Sequence, residues 1–310
     1  MEKNYAEIFE SLVEQTAEYL VKNNLKAQIL GISGGIDSTV VAAICHEVSK
    51  RTGIPLIGRS LPTKFNKEGE VTTADLVGNA FCNDFEVYSL SDIWEDVENS
   101  FMRYESKTPT PISSGNIQAR LRMIYLYNIA SLHGGLVMDT DNLTENNLGY
   151  FTIHGDVGDF NPIGGLWKTE VFKLAEWLIS YYRTNSIKTM EKSGLVDYSE
   201  WEEAVNADSI IYAIEESLKL KPTAGLGITN NDLEEIGADN WLQVDSILQE
   251  ILAWKWLAAQ RNNVFESTWD MRNAFLEEQQ MLDTPIEVII AVTDRHFRSE
   301  FKRKQLPIKL

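Results

Sequence analysis

The stretch Gln28-Ile-Leu-Gly-Ile-Ser-Gly-Gly-Ile-Asp-Ser-Thr-Val-Val41 decides how the rest of the chain is interpreted. An apolar run from Ile29 to Ile32 meets a pair of glycines, and a helix-like segment follows at once. This pattern predicts a strand, a tight turn and a helix N-terminus. Adjacent glycines let a bulky anion approach the backbone N–H groups, and the dipole of the helix start favours phosphate. The stretch therefore predicts a phosphate-binding loop.

This loop differs from the common P-loop, because the chain contains no G-x-x-x-x-G-K-[ST] string and no lysine stands inside the loop. The string Ser33-Gly-Gly-Ile-Asp-Ser38 instead resembles the PP-loop of the ATP pyrophosphatases, which cleave ATP between the α and β phosphates. Asp37 makes sense among phosphate ligands mainly if a divalent cation lies between them. An ordinary serine-capped glycine turn is the alternative. The complete string after a strand favours the nucleotide-binding interpretation.

Composition limits the classes to which the protein can belong. Its 310 residues, 44% of them hydrophobic, suffice for one large domain with a sizeable core. A formal net charge of −18 argues against general binding to nucleic acid or to a membrane surface. Two cysteines cannot form a disulfide framework, and no apolar run approaches membrane-spanning length. We expect a cytoplasmic protein with no nucleic-acid partner and no membrane partner.

Strands alternate with helices in the first half of the chain. Further strands are predicted at Pro55–Leu61, Phe85–Leu90 and Gly135–Asp139, with a helix at Lys67–Ala80 between the first two. This order predicts an α/β fold with a doubly wound parallel sheet. Ligands of such sheets bind at the carboxyl ends of the strands, where the glycine loop already lies.

Helices are predicted to dominate the second half. The turn-rich segment Lys107–Gly115 is predicted to be a mobile loop before a helix at Asn116–Leu132. We expect residues 1–310 to form a single domain, with a helical elaboration over approximately residues 183–300.

A series of short motifs is similar, in order, to the ammonia-dependent NAD synthetases. This resemblance implies an adenine-nucleotide alpha-hydrolase-like fold and a ligase that joins deamido-NAD and ammonia at the expense of ATP. The implied products are NAD, AMP and pyrophosphate, formed through an acyl-adenylate, and the implied assembly is a homodimer. The motifs are Ser33-Gly-Gly-Ile-Asp-Ser38, Arg59-Ser-Leu-Pro62, Gly115-Asn-Ile-Gln-Ala-Arg120, Asp139-Thr-Asp-Asn-Leu-Thr-Glu145, Gly149-Tyr-Phe-Thr152 with Gly155-Asp156, Lys168, Pro222-Thr-Ala-Gly-Leu226 and Lys302-Arg303.

The resemblance also implies roles for individual residues. Asp37 and Glu145 correspond to Mg²⁺ ligands, and Asp37 and Lys168 to catalytic residues; a solvated loop acid and an exposed lysine are the alternatives for Glu145 and Lys168. Arg120, whose alternative is a surface salt bridge, corresponds to a substrate-binding residue, as do Asp156, Asp159 and Lys302, with Lys302 expected to arrive across the homodimer. The implied ATP-binding residues are Gly31, Ile32, Ser33, Gly34, Gly35, Ile36, Asp37, Ser38, Arg59, Thr140, Lys168 and Thr223.

Two positions depart from the family pattern. Ile153 stands where the family usually has a lysine, and Phe301 stands where it usually has a histidine. Both lie on the dinucleotide side of the implied site, so adenylation is better supported than the identity of the acceptor. A PP-loop ligase acting on a different carboxylate and a catalytically silent nucleotide-binding protein stay open as alternatives. Because the loop begins at Ser33, free ammonia or ammonia from another protein is the expected nitrogen source.

Overall fold

A parallel sheet positions everything that follows. The computed structural model describes residues 3–192, 198–221, 232–279, 281 and 283–303. Within these residues the sheet has four strands in the order β3-β2-β1-β4, and every neighbouring pair is parallel. Its strands are β1 (Gln28–Gly31), β2 (Leu56–Ser60), β3 (Asp84–Val87) and β4 (Leu136–Met138).

Helices cover both faces of this sheet and form the C-terminal half. The apolar strands β1, β2 and β4 are almost fully buried, as expected for a parallel sheet with helices on both faces. The helices are α1 (Tyr5–Lys22), α2 (Ile36–Thr52), α3 (Glu68–Phe81), α4 (Ser91–Glu105), α5 (Pro111–His133), α6 (Leu143–Leu148), α7 (Lys168–Lys192), α8 (Tyr198–Lys219), α9 (Asp232–Ile236), α10 (Trp241–Gln260), α11 (Thr268–Glu278), α12 (Ile286–Arg298) and α13 (Glu300–Arg303).

The order of the strands creates a crevice at the centre of the sheet. The chain moves outward from β1 through β2 to β3, and then returns to place β4 on the other side of β1. Connections after β1 and β4 therefore lead to opposite sides, which opens a crevice between the carboxyl ends of these two strands. The glycine loop follows β1, and Asp139 follows β4. The sequence prediction of a doubly wound α/β fold is confirmed.

The prediction of a loop over the whole segment Lys107–Gly115 is wrong in its second half. Helix α5 begins at Pro111, and the Thr110 side chain accepts a hydrogen bond from the Ser113 N–H at 3.2 Å. Threonine at the N-cap and proline at the first helical position are signals for a helix start. The same residues are also turn formers, and this dual use explains the error.

Three hydrophobic clusters stabilise the described part of the chain. The first joins the sheet to α1, α2, α3, α7 and α8, and the second joins α6 to α10, α11 and α12. The third packs α4 and α5 against β1, β2 and β4. Helix α7 runs without a break through residue 183, where we expected the helical elaboration to begin. No helix in the described part of the chain combines the length and the apolar character that crossing a membrane requires.

Candidate active site

The backbone of the glycine loop requires a glycine at position 34. Gly34 has a φ of +81°, and a Cβ atom there would lie 2.6 Å from the Glu70 carbonyl oxygen. Glycine is therefore required both for the backbone angle and for the close approach of α3. The Ser33 hydroxyl accepts a hydrogen bond from the Gly35 N–H at 3.2 Å, and the Ser38 hydroxyl donates to the Gly35 carbonyl at 2.9 Å. These contacts hold the loop in one shape before any ligand arrives.

This loop forms one wall of a cleft of about 610 Å³ at the carboxyl ends of the strands. A cleft of this size is within the usual range for small-molecule sites. Thr223, a predicted ATP contact, lies outside the described residues. The predicted site residues that line the cleft are Gly31, Ile32, Ser33, Gly35, Ile36, Asp37, Ser38, Arg59, Thr140, Glu145, Asp156, Lys168 and Lys302.

The centre of the site is an ammonium group held between two carboxylates. Lys168 Nζ donates to Asp37 and to Glu145, the latter at 2.8 Å. The Lys168 side chain is only 1% exposed, and those of Asp37 and Glu145 are 16% and 17% exposed. The alternatives of an exposed lysine and a solvated acid therefore do not apply.

Asn142 fixes both carboxylates. Its side-chain amide donates to Asp37 Oδ1 at 2.8 Å, and its backbone N–H donates to Glu145 Oε2 at 3.3 Å. In return the Asn142 side-chain oxygen accepts from the Glu145 N–H at 3.0 Å, so the two residues form a capping box at the start of α6. The asparagine thus sets the position of both acids at once.

Burial and neighbouring charge shift the pKa values of this centre. Burial, followed by the charge of Asp37, raises the pKa of Glu145 to about 7 against the opposing effect of Lys168. Burial lowers the pKa of Lys168, but the charges of Asp37 and Glu145 outweigh it, so the pKa lies above its ordinary value. Lys168 therefore stays charged at neutral pH. Burial and the charge of Asp139 also raise the pKa of Asp141, which lines the same cleft.

The donor set of this centre fits a magnesium ion that is shared with a substrate. Magnesium in phosphate-transfer sites is commonly bound by one or two carboxylates together with phosphate oxygens and water. Asp37 and Glu145 supply two carboxylates, whereas no group of three or more acidic, histidine or cysteine side chains in the described residues could hold a metal ion. The pair would therefore hold Mg²⁺ only together with substrate oxygens, after Lys168 gives up its contacts with them.

Arg59, predicted to contact ATP, already has a carboxylate partner. Its guanidinium donates to the Asp84 carboxylate at 3.1 and 3.0 Å and to the Gly58 carbonyl at 2.7 Å. The residue is buried, and it faces the cleft from the end of β2. Its position is compatible with the predicted role.

The structure separates the four residues predicted to bind the acceptor substrate. Asp156 and Lys302 line the cleft, and Lys302 Nζ donates to the carbonyls of Gly149 at 2.7 Å and Phe151 at 2.6 Å of its own chain. Lys302 therefore reaches a site within one chain, and a route across a dimer is not needed for it.

Arg120 and Asp159 do not line this cleft. Arg120 is exposed, and its guanidinium donates to the Ile153 carbonyl at 3.2 Å. Asp159 accepts hydrogen bonds from the Tyr127 hydroxyl at 2.9 Å and the Val137 N–H at 3.0 Å. The roles of both residues in substrate binding stay predictions.

Two further arginines, to which the sequence motifs give no role, line the cleft. Arg122 lies on α5, two positions after Arg120, and so faces nearly the opposite way because successive helical residues turn by about 100°. Arg295 lies over the Tyr150 ring at 3.8 Å and pairs with Glu235 at 2.7 Å. Helical periodicity was the signal for Arg122, because Gln118, one turn earlier, is buried on the same face.

A parallel sheet with a PP-loop and a charged cleft at its switch point defines an ATP-using enzyme of the PP-loop α/β class. The family model described as NAD synthase matches residues 8–306, and the chain belongs to this family. It is accordingly a ligase, as the sequence motifs implied.

Relatives agree with this membership. The NH(3)-dependent NAD(+) synthetase of Campylobacter jejuni is 33% identical over 177 residues, which cover 56% of this chain and 68% of the relative. The enzyme of the same name from Finegoldia magna is 35% identical over 176 residues, covering 56% of this chain and 70% of the relative.

Solved structures share the fold. An NMN synthetase from Francisella tularensis gives a TM-score of 0.69 at 22% identity, covering 100% of this chain and 99% of that one. An NH3-dependent NAD synthetase from C. jejuni gives 0.60 at 21% identity, with 100% of both chains covered. At these identities the likeness is one of fold.

Replacing Lys168 by methionine should destabilise the protein by about 3–5 kcal/mol at pH 8, because two carboxylates lose their common counter-charge. A carboxyl pKa raised from 4.5 to about 7 means that the folded state binds its proton more tightly, so stability falls as pH rises through this range. Losing Lys168 raises that pKa further, so the deficit should be smaller at pH 5.

Urea unfolding at pH 5 and pH 8 measures this effect, with Lys173→Met on the exposed face of α7 as the matched control. An equal deficit at both pH values would contradict the electrostatic account of the centre.

Proposed function

We propose that this protein catalyses the ATP-dependent amidation of deamido-NAD with ammonia, giving NAD, AMP and pyrophosphate through an acyl-adenylate. The observation that carries the proposal is the Asp37–Lys168–Glu145 centre beside the PP-loop, at the switch point of the sheet. Membership of the NAD synthase family and the names of the relatives support the same reaction.

In the first step a substrate carboxylate attacks the α-phosphorus of ATP, and the bond to the bridging oxygen of pyrophosphate breaks. The first turn of α2 has no side-chain cap from Gly35, so its N–H groups remain available to donate to the departing phosphates. Lys168, which donates to Asp37 in the first turn of α2, neutralises pyrophosphate when it exchanges its carboxylate partners for phosphate oxygens. Mg²⁺, when bound by Asp37 and Glu145, supplies further charge neutralisation.

In the second step ammonia attacks the acyl carbon of the adenylate and expels AMP. Neither step requires a side-chain nucleophile, because positioning and charge stabilisation carry the catalysis. Asp156 lies in the cleft, and burial raises the pKa of its carboxyl to about 6. We assign ammonia as the nitrogen donor from the names of the relatives.

Two positions of the chain bear on the identity of the acceptor. Ile153 and Phe301 replace residues that are usually basic, and Phe301 is 62% exposed on α13. The Francisella structure is named as an NMN synthetase, although its likeness is of fold alone. Nicotinate mononucleotide is accordingly the first competing acceptor, and other carboxylates follow it.

A product assay tests the reaction. With ATP, Mg²⁺ and ammonium, the purified chain should release AMP and form NAD only when deamido-NAD is present. Asp37→Asn should lower the rate at least about 100-fold, because it removes a charge from the stabilising centre. Asp75→Asn, on the exposed side of α3, is the matched control and should leave the rate unchanged.

Each outcome has a defined meaning. A parallel assay supplies nicotinate mononucleotide instead of deamido-NAD, and NMN formation there without NAD formation from deamido-NAD would replace the acceptor and keep the adenylation chemistry. No AMP release with either acceptor would contradict the proposal in favour of another carboxylate substrate or a silent nucleotide-binding protein.

We also propose a homodimer, and the exposed apolar face of α4 supports it. Ile93, Val97, Phe101 and Tyr104 recur at helical spacing and are 39%, 39%, 45% and 80% exposed. Such contiguous apolar surface on a helix usually marks an interface. Sedimentation equilibrium should give twice the chain mass of 35.2 kDa, and Phe101→Glu should shift it toward one chain mass. A monomer in the unaltered protein would contradict the assignment.

A further inference from the structure

Arg122 carries a positive charge in the wall of the cleft and contacts no carboxylate among the described residues. The side chain is half-buried and lines the cleft. Its Nε donates to the Leu61 carbonyl at 3.0 Å, and its Nη2 donates to the Asn66 side-chain oxygen at 3.3 Å. Both acceptors are neutral. Within the described residues Arg122 makes no ion pair, so its charge is not matched at contact distance.

Three other cations of the cleft have carboxylate partners. Lys168 pairs with Asp37 and Glu145, Arg59 pairs with Asp84, and Arg295 pairs with Glu235. Lys302 resembles Arg122 in donating to neutral oxygens, the carbonyls of Gly149 and Phe151. Charged groups removed from water are normally paired, because an unpaired charge costs free energy. Burial lowers the pKa of Arg122, and the charges of Asp156 and Glu70 oppose this effect from a greater distance. A half-buried guanidinium with no carboxylate at contact distance is typical of anion-binding sites.

The surroundings of Arg122 fix its orientation in advance. The Asn66 oxygen that accepts from Arg122 also accepts from the Thr63 N–H at 2.9 Å, and the Asn66 amide donates to Glu70 at 3.1 Å. The Thr63 hydroxyl donates at 2.7 Å to Gln118, which lies one helical turn before Arg122 on α5. A network of this kind lowers the entropy that the side chain loses when it binds a ligand.

Three N–H groups of Arg122 remain for a ligand. A guanidinium has five N–H donors, and the contacts with Leu61 and Asn66 use two of them, which leaves three. Two of these three belong to Nη1 and the third to Nη2. This set matches the two oxygens of a phosphate or a carboxylate.

We propose that Arg122 is an anion-binding residue of the cleft and that it receives a phosphate or carboxylate group of a nucleotide substrate. The inference rests on the proposed function for the identity of that nucleotide. Two ligands of this cleft can supply the anionic group that Arg122 binds: ATP, through its triphosphate, and the acceptor, through its acidic groups. Arg122 and Arg120 are two residues apart on one helix, and only Arg122 faces the cleft.

Isothermal titration of the 310-residue chain tests this inference without turnover. The probes are ATP, deamido-NAD and nicotinate mononucleotide, each added alone, with adenosine as an uncharged probe. Arg122→Met should weaken binding of at least one anionic probe by about 10- to 100-fold, the effect of losing a charge-assisted hydrogen bond. Arg122→Lys, which retains the charge, should recover part of the loss. Arg183→Met, at an exposed position on α7, should bind as the parent does.

The pattern of losses decides the outcome. Weaker ATP binding assigns Arg122 to the triphosphate, and weaker binding of deamido-NAD or the mononucleotide assigns it to the acceptor. In both cases adenosine binding should not change. Unaltered binding of all the anionic probes, or an equal loss that includes adenosine, would overturn the inference. Absence of NAD formation by the parent would count against the proposed reaction and would leave these affinities meaningful.

Discussion

The ion pair of Lys168 with Asp37 and Glu145 is the interaction on which the rest of the site depends. Each partner lies at the start of a different helix: Asp37 in the first turn of α2, Glu145 in the first turn of α6, and Lys168 at the first position of α7. The pair therefore joins the connections that follow β1 and β4 to the helix that leads into the C-terminal half. Removing one member would leave charges without compensation in a largely buried place.

The C-terminal half supports this centre through a second layer of contacts. Asp245 of α10 is fully buried, and it accepts hydrogen bonds from the Thr144 hydroxyl and from the Thr169 N–H at 3.0 Å. The Thr144 hydroxyl also accepts from the Lys168 N–H at 2.8 Å. Thr144 and Thr169 are the chain neighbours of Glu145 and Lys168. The helices added beyond the sheet are thus part of what positions the charged groups, and they do more than enlarge the core.

The sequence predicted the sheet and the loop well, because both depend on local patterns. An apolar run, a glycine pair and a helix start are adjacent in the chain, so the PP-loop and its place after β1 followed directly from Ser33 to Ser38. Asp37, Glu145 and Lys168 were named from motifs, but the contact of Asp37 with Lys168 joins residues 131 positions apart and could not be derived from spacing. The start of α5 was missed because Thr110 and Pro111 serve turns and helix starts alike. Arg122 was left without a role because a motif match to Arg120 outweighed the direction in which each side chain leaves the helix.

The central claim is that Lys168 substitutes for a divalent cation and transfers its contacts to phosphate when the nucleotide binds. A crystal structure with Mn²⁺ and an ATP analogue that carries a methylene group between the α and β phosphorus atoms tests this directly. The account predicts an anomalous scattering peak in contact with Asp37 and Glu145, with Lys168 Nζ bound to phosphate oxygens. A peak held by other side chains, with Lys168 still bound to both carboxylates, would contradict it.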